Sequence, residues 1–506
     1  MVDEMSIGSV PRSVDTIVIG GGTAGAAVAG RLAARTDQSV LLTEAGPDYG
    51  LRSAGRWPAE LLDASVIADS HDWGYTSAAR TGQPNHPLQR ARVMGGCSAH
   101  NGCIAVRGSR SDYDGWSNAG NHGWAAGELL PYFVKAETTL RVRNFATTEI
   151  TPFHAACLDA MVNTGLPLSN DLSHLDGELA AGTAPVNIHD GIRWNTALAY
   201  LDPVRGNGYL TVLGNALVNK IRIVDGRATL VDIIGPGGVT KVDVGRVIVC
   251  AGVYGSPGVL MRSGIGPADE LRDLGIATTL DLRGVGRNLH DHPVFNLQYN
   301  SASLFSAMDA FVADGHTLFT EQSLVKARSD TCSVAYDLHV YPFTRAEPTQ
   351  QGRWECFLPV ANLTPRSRGT FHLRSMDPTE KPIVDTSYLS DPDDEDLSVL
   401  MSGIELARQI ASQQPLANLI GKESPVSAEC VRREDVRLSC LHYYHPVGTC
   451  KMGPISDPET VVDASGRVHG TNNIFVADAS IIPTIPRANT NLPTLMIAEH
   501  IVDRLI

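Results

Sequence analysis

The sequence is poor in the features that mark membrane, secreted or nucleic-acid-binding proteins. No apolar run reaches the roughly 18–20 residues that a helix needs to cross a bilayer. Nine cysteines are scattered, odd in number and never spaced C-x-x-C, so neither a disulfide framework nor a zinc site is expected. Positive charge is in deficit, with 41 Lys and Arg against 55 Asp and Glu and a formal net charge of −14. That balance argues against a broad nucleic-acid surface and against docking on anionic lipid. The first residues, MVDEMSIGSVPRS, are acidic and lack the apolar segment of a signal peptide. Internal repeats and low-complexity segments are missing as well. These absences predict a cytoplasmic protein with no membrane and no nucleic acid among its partners.

What is present reads as an enzyme of several domains. A chain of 506 residues exceeds one hydrophobic core, which points to two to four domains. Its 43% hydrophobic and 19% charged residues are the balance of a folded globular protein. Near the start, TIVIGGGTAGAAVAGRLAARTDQSVLLTEAGPDYG predicts a strand over Thr16–Ile19, an alanine-rich helix to about Arg35 and a strand over Val40–Thr43. That is a βαβ unit, because parallel strands need a helical crossover. Gly20, Gly22 and Gly25 form G-x-G-x-x-G at its first turn, with Thr23 and Ala24 inside the motif. The first glycine permits the turn, the second admits a pyrophosphate, and the third lets helix and strand pack. The helix N-terminus then offers amide donors and partial positive charge to the phosphates. Glu44 closes the second strand, followed by Ala45, where a ribose-binding acid belongs. A carboxylate there repels a 2′-phosphate, so FAD or NAD is expected rather than NADP.

A second unusual stretch is RVMGGCSAHNGC, Arg92 to Cys103. Adjacent Gly95 and Gly96 let the backbone approach something flat or phosphorylated, and a serine, a histidine and an asparagine follow. In the middle, VDVGRVIVCAGVYGSPGVLMRSGIGP repeats the strand-then-glycine grammar. At the end, NLPTLMIAEHIVDRL reads as a helix with Pro493 in its first turn. Dinucleotide-type elements at both ends of the chain imply a discontinuous domain. The H-x-H of His290 and His292 lacks a convincing further ligand set, so no metal is expected. Cys97 and Cys103 are read as small packing groups.

Four stretches carry a resemblance. ARVMGGCSAHNG (Ala91–Gly102), GVYGSPGVLMRSGIGP (Gly252–Pro267), GVGRNLHDHP (Gly284–Pro293) and HPVGTCKMG with FVADASIIPTIPRANTNLPTLMIAE are together similar to the glucose–methanol–choline oxidoreductases. The likeness runs from about Thr16 to Leu505 and is weakest over about 294–440. It implies an α/β fold: a Rossmann-like, glutathione-reductase-like FAD-binding domain with a discontinuous α+β substrate-binding domain built on an antiparallel sheet. The expected FAD-binding domain covers 1–160, 197–293 and 441–506, and the substrate-binding domain 161–196 and 294–440. The implied activity is FAD-dependent oxidation of an alcohol, with a small-molecule alcohol and O2 or another electron acceptor as partners; homo-oligomers are compatible with it.

Residue by residue, the resemblance places Arg92, Val93, Gly95, Gly96, His100, Asn101, Gly102 and Ile104 along the flavin ring. It places Val218 at the adenine, Ala251 and Gly252 beside the second glycine turn, and Asp478 and Ala479 near the pyrophosphate and ribityl chain. His100 departs from the family's commonest loop; choline oxidases carry there a histidine bonded to the flavin 8α-methyl, so the resemblance implies FAD tethered covalently through His100. A neutral imidazole is a competent nucleophile for such a bond. Alignment through H-P-x-G-T selects His445 as catalytic, and Asn489 as its partner. Histidine can take the hydroxyl proton near neutrality, and an amide can donate to the substrate oxygen. Asn491 is read as a helix cap or a second contact to the flavin. His442 is read as structural.

The proposed chemistry is hydride transfer to flavin N5, followed by reoxidation by O2 to hydrogen peroxide. A dehydrogenase using a quinone, a hydroxynitrile lyase and a non-catalytic flavin protein are the alternatives. The glutamate that pairs with trimethylammonium in choline oxidases is replaced by Val294. Trp57 and Tyr444 offer two aromatic faces to a substrate, and a neutral primary alcohol is expected in preference to a cation.

Overall fold

Two seven-stranded sheets organise the chain. The computed structural model describes residues 10–79, 85–177, 179–347, 353–430 and 432–506. The first sheet is parallel through Leu210–Leu213, Val40–Thr43, Ser13–Ile19, Gly238–Val249 and Ile474–Val476. The twelve-residue strand Gly238–Val249 serves two neighbourhoods. Its beginning pairs antiparallel with Arg227–Gly235, which pairs in turn with Leu217–Val224, while its end joins the parallel strands.

Register explains where ligands go. Ile19 pairs with Thr43 and Val249, Thr43 with Leu213, and Val249 with Val476. The strands therefore finish level, and Gly20, Glu44, Cys250 and Ala477 leave the sheet along one edge. Ligands of open parallel sheets bind beyond such carboxyl ends. The strand Ser13–Ile19 is apolar on both faces at its end, where Ile17, Val18 and Ile19 are all buried. Thr23–Arg35 is the helix that follows it. It packs against the C-terminal helix Asn491–Leu505, whose buried Glu499 pairs with Arg31 and Lys135, each at 2.6 Å, and accepts from Tyr200 at 3.0 Å. Helices from near the beginning and near the end of the sequence thus share one core.

The second sheet is antiparallel, in the order Leu441–His442, Pro293–Tyr299, Trp354–Asn362, Leu338–Val340, Ser323–Ala327, Ala180–Thr183, with Phe343–Ala346 added beside Trp354–Asn362. Helix Glu395–Ala411 covers one face through Leu400, Ile404 and Ala407. Two expected boundaries shift. Helix Pro152–Asn163 places Phe153, Cys157 and Met161 in this second core, so the break expected at 160 lies before the helix. Leu441 and His442, expected in the cofactor domain, form the outer strand of the second sheet, pairing with Val294 and Pro293. Both shifts follow from long-range packing that local sequence does not encode. Among the described residues no helix is long and apolar enough to cross a membrane, and the nine cysteines are all unpaired.

Candidate active site

A cavity of about 1200 Å³ runs from the carboxyl edge of the parallel sheet to the face of the antiparallel one. One end is lined by Gly20, Gly22, Thr23, Ala24, Glu44, Ala45, Val218, Ala251, Gly252, Asp478 and Ala479. The glycine turn is as tight as its motif predicts. A Cβ on Gly25 would sit 1.8 Å from the Gly20 carbonyl oxygen, whereas one on Gly22 would meet only the Gly96 Cα, at 3.7 Å. Glu44 accepts from the Gly21 and Gly46 amides at 2.9 and 2.8 Å. Burial still pushes its carboxyl up to about 7, a cost that hydroxyl donors from a ribose would relieve. Asp478 lines this end of the cavity and also has a structural part. Its oxygens already accept from Gly252, Ser256 and Ser480, so it holds the start of helix Gly252–Arg262 against the end of strand Ile474–Val476.

The loop Arg92–Cys103 crosses the middle of the cavity, and Gly96, His100, Asn101, Gly102 and Ile104 line it. Gly96 has φ +53°, and a Cβ there would lie 2.6 Å from the Gly22 Cα, so no other residue permits this approach. His100 is buried, its Nε2 has no hydrogen-bond partner, and burial lowers its pKa to about 4. A neutral imidazole with a free nitrogen therefore faces a ligand space. Fully buried Arg193 secures the loop by donating to the carbonyls of Ala99, Asn101, Glu60 and Leu61. Gly95 turns toward Asn195 instead of the cavity. Arg92 and Val93 also stand off it: Val93 is core, and the Arg92 guanidinium lies 4.9 Å from the Trp73 ring.

At the far end His445 and Asn489 meet. Asn489 Nδ2 lies 3.3 Å from His445 Nε2, and His445 Nδ1 lies 3.2 Å from His292 Nδ1. With the amide donating, His445 Nε2 holds a lone pair and its proton sits on Nδ1, directed at His292. Burial, then His292 and Arg90, hold the His445 pKa well below the usual value. The LHDHP stretch supplies the clamp. Asp291 accepts the His445 amide at 2.9 Å and the Tyr388 hydroxyl at 3.1 Å. His290 contacts the Asn288 carbonyl at 2.6 Å and accepts the Ile485 amide at 2.9 Å, four residues before Asn489. Ligating atoms of Asp291, His292 and His445 fall within 4.8 Å of one another, but these hydrogen bonds account for them.

Other expectations separate here. Tyr444 lines the cavity with φ +63°, a turn that points its neighbour His445 inward. Trp57 does not line it: its indole donates to the Gly50 carbonyl at 2.9 Å and its ring packs on Tyr49, 5.7 Å away. Asn491 begins the last helix without capping it, and its unpartnered Nδ2 belongs to a cavity-lining residue. Residue-level reading missed Asp291, Arg193, Glu321 and Tyr443, none of which lies in a pattern of its own. The free His100, Asn489 and Asn491 atoms, the glycine cradle and Glu44 together fit a flavin dinucleotide.

Comparison with known proteins agrees with this geometry. The family models of the GMC oxidoreductases match residues 14–294 and 365–498. Mitochondrial choline dehydrogenase from Homo sapiens is 34% identical, over 96% of this chain and 89% of its own. Choline oxidase from Arthrobacter globiformis is also 34% identical, over 97% and 94%. The crystal structure of pyridoxine 4-oxidase from Mesorbium loti superposes with a TM-score of 0.85 at 28% identity, covering 97% of this chain and 98% of that one.

Proposed function

This chain belongs to the GMC oxidoreductases and is an FAD-dependent enzyme acting on CH–OH donors; within that class we propose that it is a cytoplasmic oxidase converting a primary alcohol to the aldehyde. The observation that carries this reading is the 3.3 Å pairing of His445 and Asn489 in the cavity that also holds the dinucleotide elements. FAD, which Gly20, Gly22, Glu44, Gly96 and His100 would hold in this cavity, would supply the hydride acceptor for the alcohol carbon and, on reoxidation by dioxygen, hydrogen peroxide as the second product.

The protein's own residues handle the proton. The substrate hydroxyl takes the place of the Asn489 amide at His445 Nε2 and gives that nitrogen its proton, and the released Asn489 Nδ2 donates to the substrate oxygen as negative charge develops. His292 fixes the ring and its tautomer, so the lone pair stays toward the substrate. Asp291 fixes the backbone beneath. His100 is the tether: buried, neutral and unpartnered at Nε2, it is suited to bond the flavin.

Anaerobic mixing of the holoenzyme with a panel of small primary alcohols tests the proposal. Bleaching of the oxidised flavin, then stoichiometric peroxide on admitting oxygen, is expected. Absence of bleaching with every alcohol rejects it. Bleaching with slow reoxidation by oxygen but fast reoxidation by a quinone makes the enzyme a dehydrogenase.

A further inference from the structure

Asn489 ends a stretch, residues 482–489, that forms neither helix nor strand. Such a stretch has no ladder of its own, so the place of the Asn489 amide depends on what holds the backbone before it. Three holds are present. His290 takes the Ile485 amide. Asp112 accepts the Arg487 amide at 2.9 Å, and its other oxygen pairs with the Arg487 guanidinium. Tyr336 donates its hydroxyl to the Arg487 carbonyl at 3.0 Å. The peptides on both sides of the Arg487 Cα are therefore fixed, two residues before Asn489.

The two grips on Arg487 come from different parts of the fold, 375 and 151 positions away in sequence. Asp112 lies in the first turn of helix Arg110–Asn118, whose Tyr113 and Trp116 belong to the core of the parallel sheet. It is anchored there by the Ser109 amide, which it accepts at 2.9 Å. Tyr336 stands just before strand Leu338–Val340 of the antiparallel sheet. Its ring is fully buried, with the Lys326 ammonium 4.7 Å from the centroid and the His339 ring stacked at 6.0 Å and 14°. The ring has little freedom to carry its hydroxyl elsewhere, and taking the hydroxyl away leaves a carbonyl short of its donor. Neither Asp112 nor Tyr336 lines the cavity, so neither meets the substrate. Their leverage is geometric: a reacting group misplaced by about 1 Å can cost about 10²-fold in rate.

Resting on the alcohol-oxidising reading above, we propose that Tyr336 and Asp112 are positioning residues, which grip the Arg487 peptide from the two domains and thereby set Asn489 against His445 Nε2. The packing of the antiparallel sheet on the cofactor domain then assembles the catalytic pair, because one member of that pair is held from both sides of the seam.

The test uses the FAD-loaded full chain. Tyr336→Phe removes a single oxygen and should lower the anaerobic flavin-reduction rate constant at saturating alcohol by about tenfold. The dissociation constant of the alcohol should stay within about twofold, since Asn489 acts on charge that develops after binding. Asp112→Ala should lose at least as much rate. Asp112→Asn, whose one side-chain oxygen can still take the Arg487 amide, should recover most of it. In an Asn489→Ala background Tyr336→Phe should cost nothing further, whereas a general loosening of the fold would add to the loss. A signal independent of any alcohol is the nitrogen-15 resonance of His445 Nε2 in the oxidised holoenzyme, which Tyr336→Phe and Asn489→Ala should shift in the same direction. An unchanged reduction rate constant in Tyr336→Phe, or losses that multiply in the double variant, overturns the proposal. Parallel shifts of the His445 resonance, with no alcohol reducing the flavin, uphold the positioning role and reject the alcohol-oxidase reading.

Discussion

Asn489 Nδ2 stands 3.3 Å from His445 Nε2 although 44 positions separate the residues in sequence. Neither comes from a regular element. His445 follows the left-handed Tyr444, and Asn489 precedes the last helix. What joins them is the clamp in which His290 holds the Ile485 amide while Asp291 and His292 hold His445.

Replacing His445 by Ala should lower the anaerobic rate constant of flavin reduction by about 10²–10⁴, measured by stopped flow. Asn489→Ala should cost about 10². Because the two act on one hydroxyl, the double variant should lose less than the product of the single losses; a fully multiplicative loss would separate their roles.

The pH dependence has a definite sign. The working form of His445 is neutral, and burial with His292 and Arg90 disfavours its cation. The reduction rate constant should therefore hold steady from about pH 8 down past the ordinary histidine value near 6.5 and fall only below it. An acid limb at or above 6.5 would contradict this.

For the tether, acid precipitation of wild type should leave the yellow colour in the pellet, and His100→Ala should release FAD to the supernatant. Neutral His100, with its pKa near 4, is ready for the bond at physiological pH. Colour lost from wild-type pellets would end the covalent assignment.

Gly96→Ala should impair FAD loading, since a left-handed non-glycine costs about 1–3 kcal/mol and the added Cβ would press on Gly22. Gly115→Ala is the control. It lies in helix Arg110–Asn118, and its Cβ would meet nothing within 4 Å, so Tm should hold or rise. Flavin-to-protein absorbance ratios report the difference.

Short-range features of this protein were legible in advance because their causes are short-range. Gly20, Gly22, Gly25 and Glu44 fall at the tight turn, the helix start and the strand end that a few adjacent residues specify. His445, Asn489 and His100 were found through motif likeness, which preserves spacing around a shared ligand. Trp57 misled because an aromatic side chain has no address in sequence: its indole found the Gly50 carbonyl, not the cavity. The HDH triplet looked like a weak metal motif, and only contacts across about 150–195 positions revealed a clamp.

Sequence alone determined the glycine turn and the acid at the end of the second strand, since each depends on local backbone geometry or on residue type, and likeness to the family's motifs pointed to His445 and Asn489. Tertiary structure alone decided which buried polar groups are satisfied. Arg193 meets several carbonyls, Asp291 meets an amide and a phenol, and the Nε2 of His100 meets nothing. Whether a charge is paired depends on neighbours brought from distant strands and loops, and that is settled by packing.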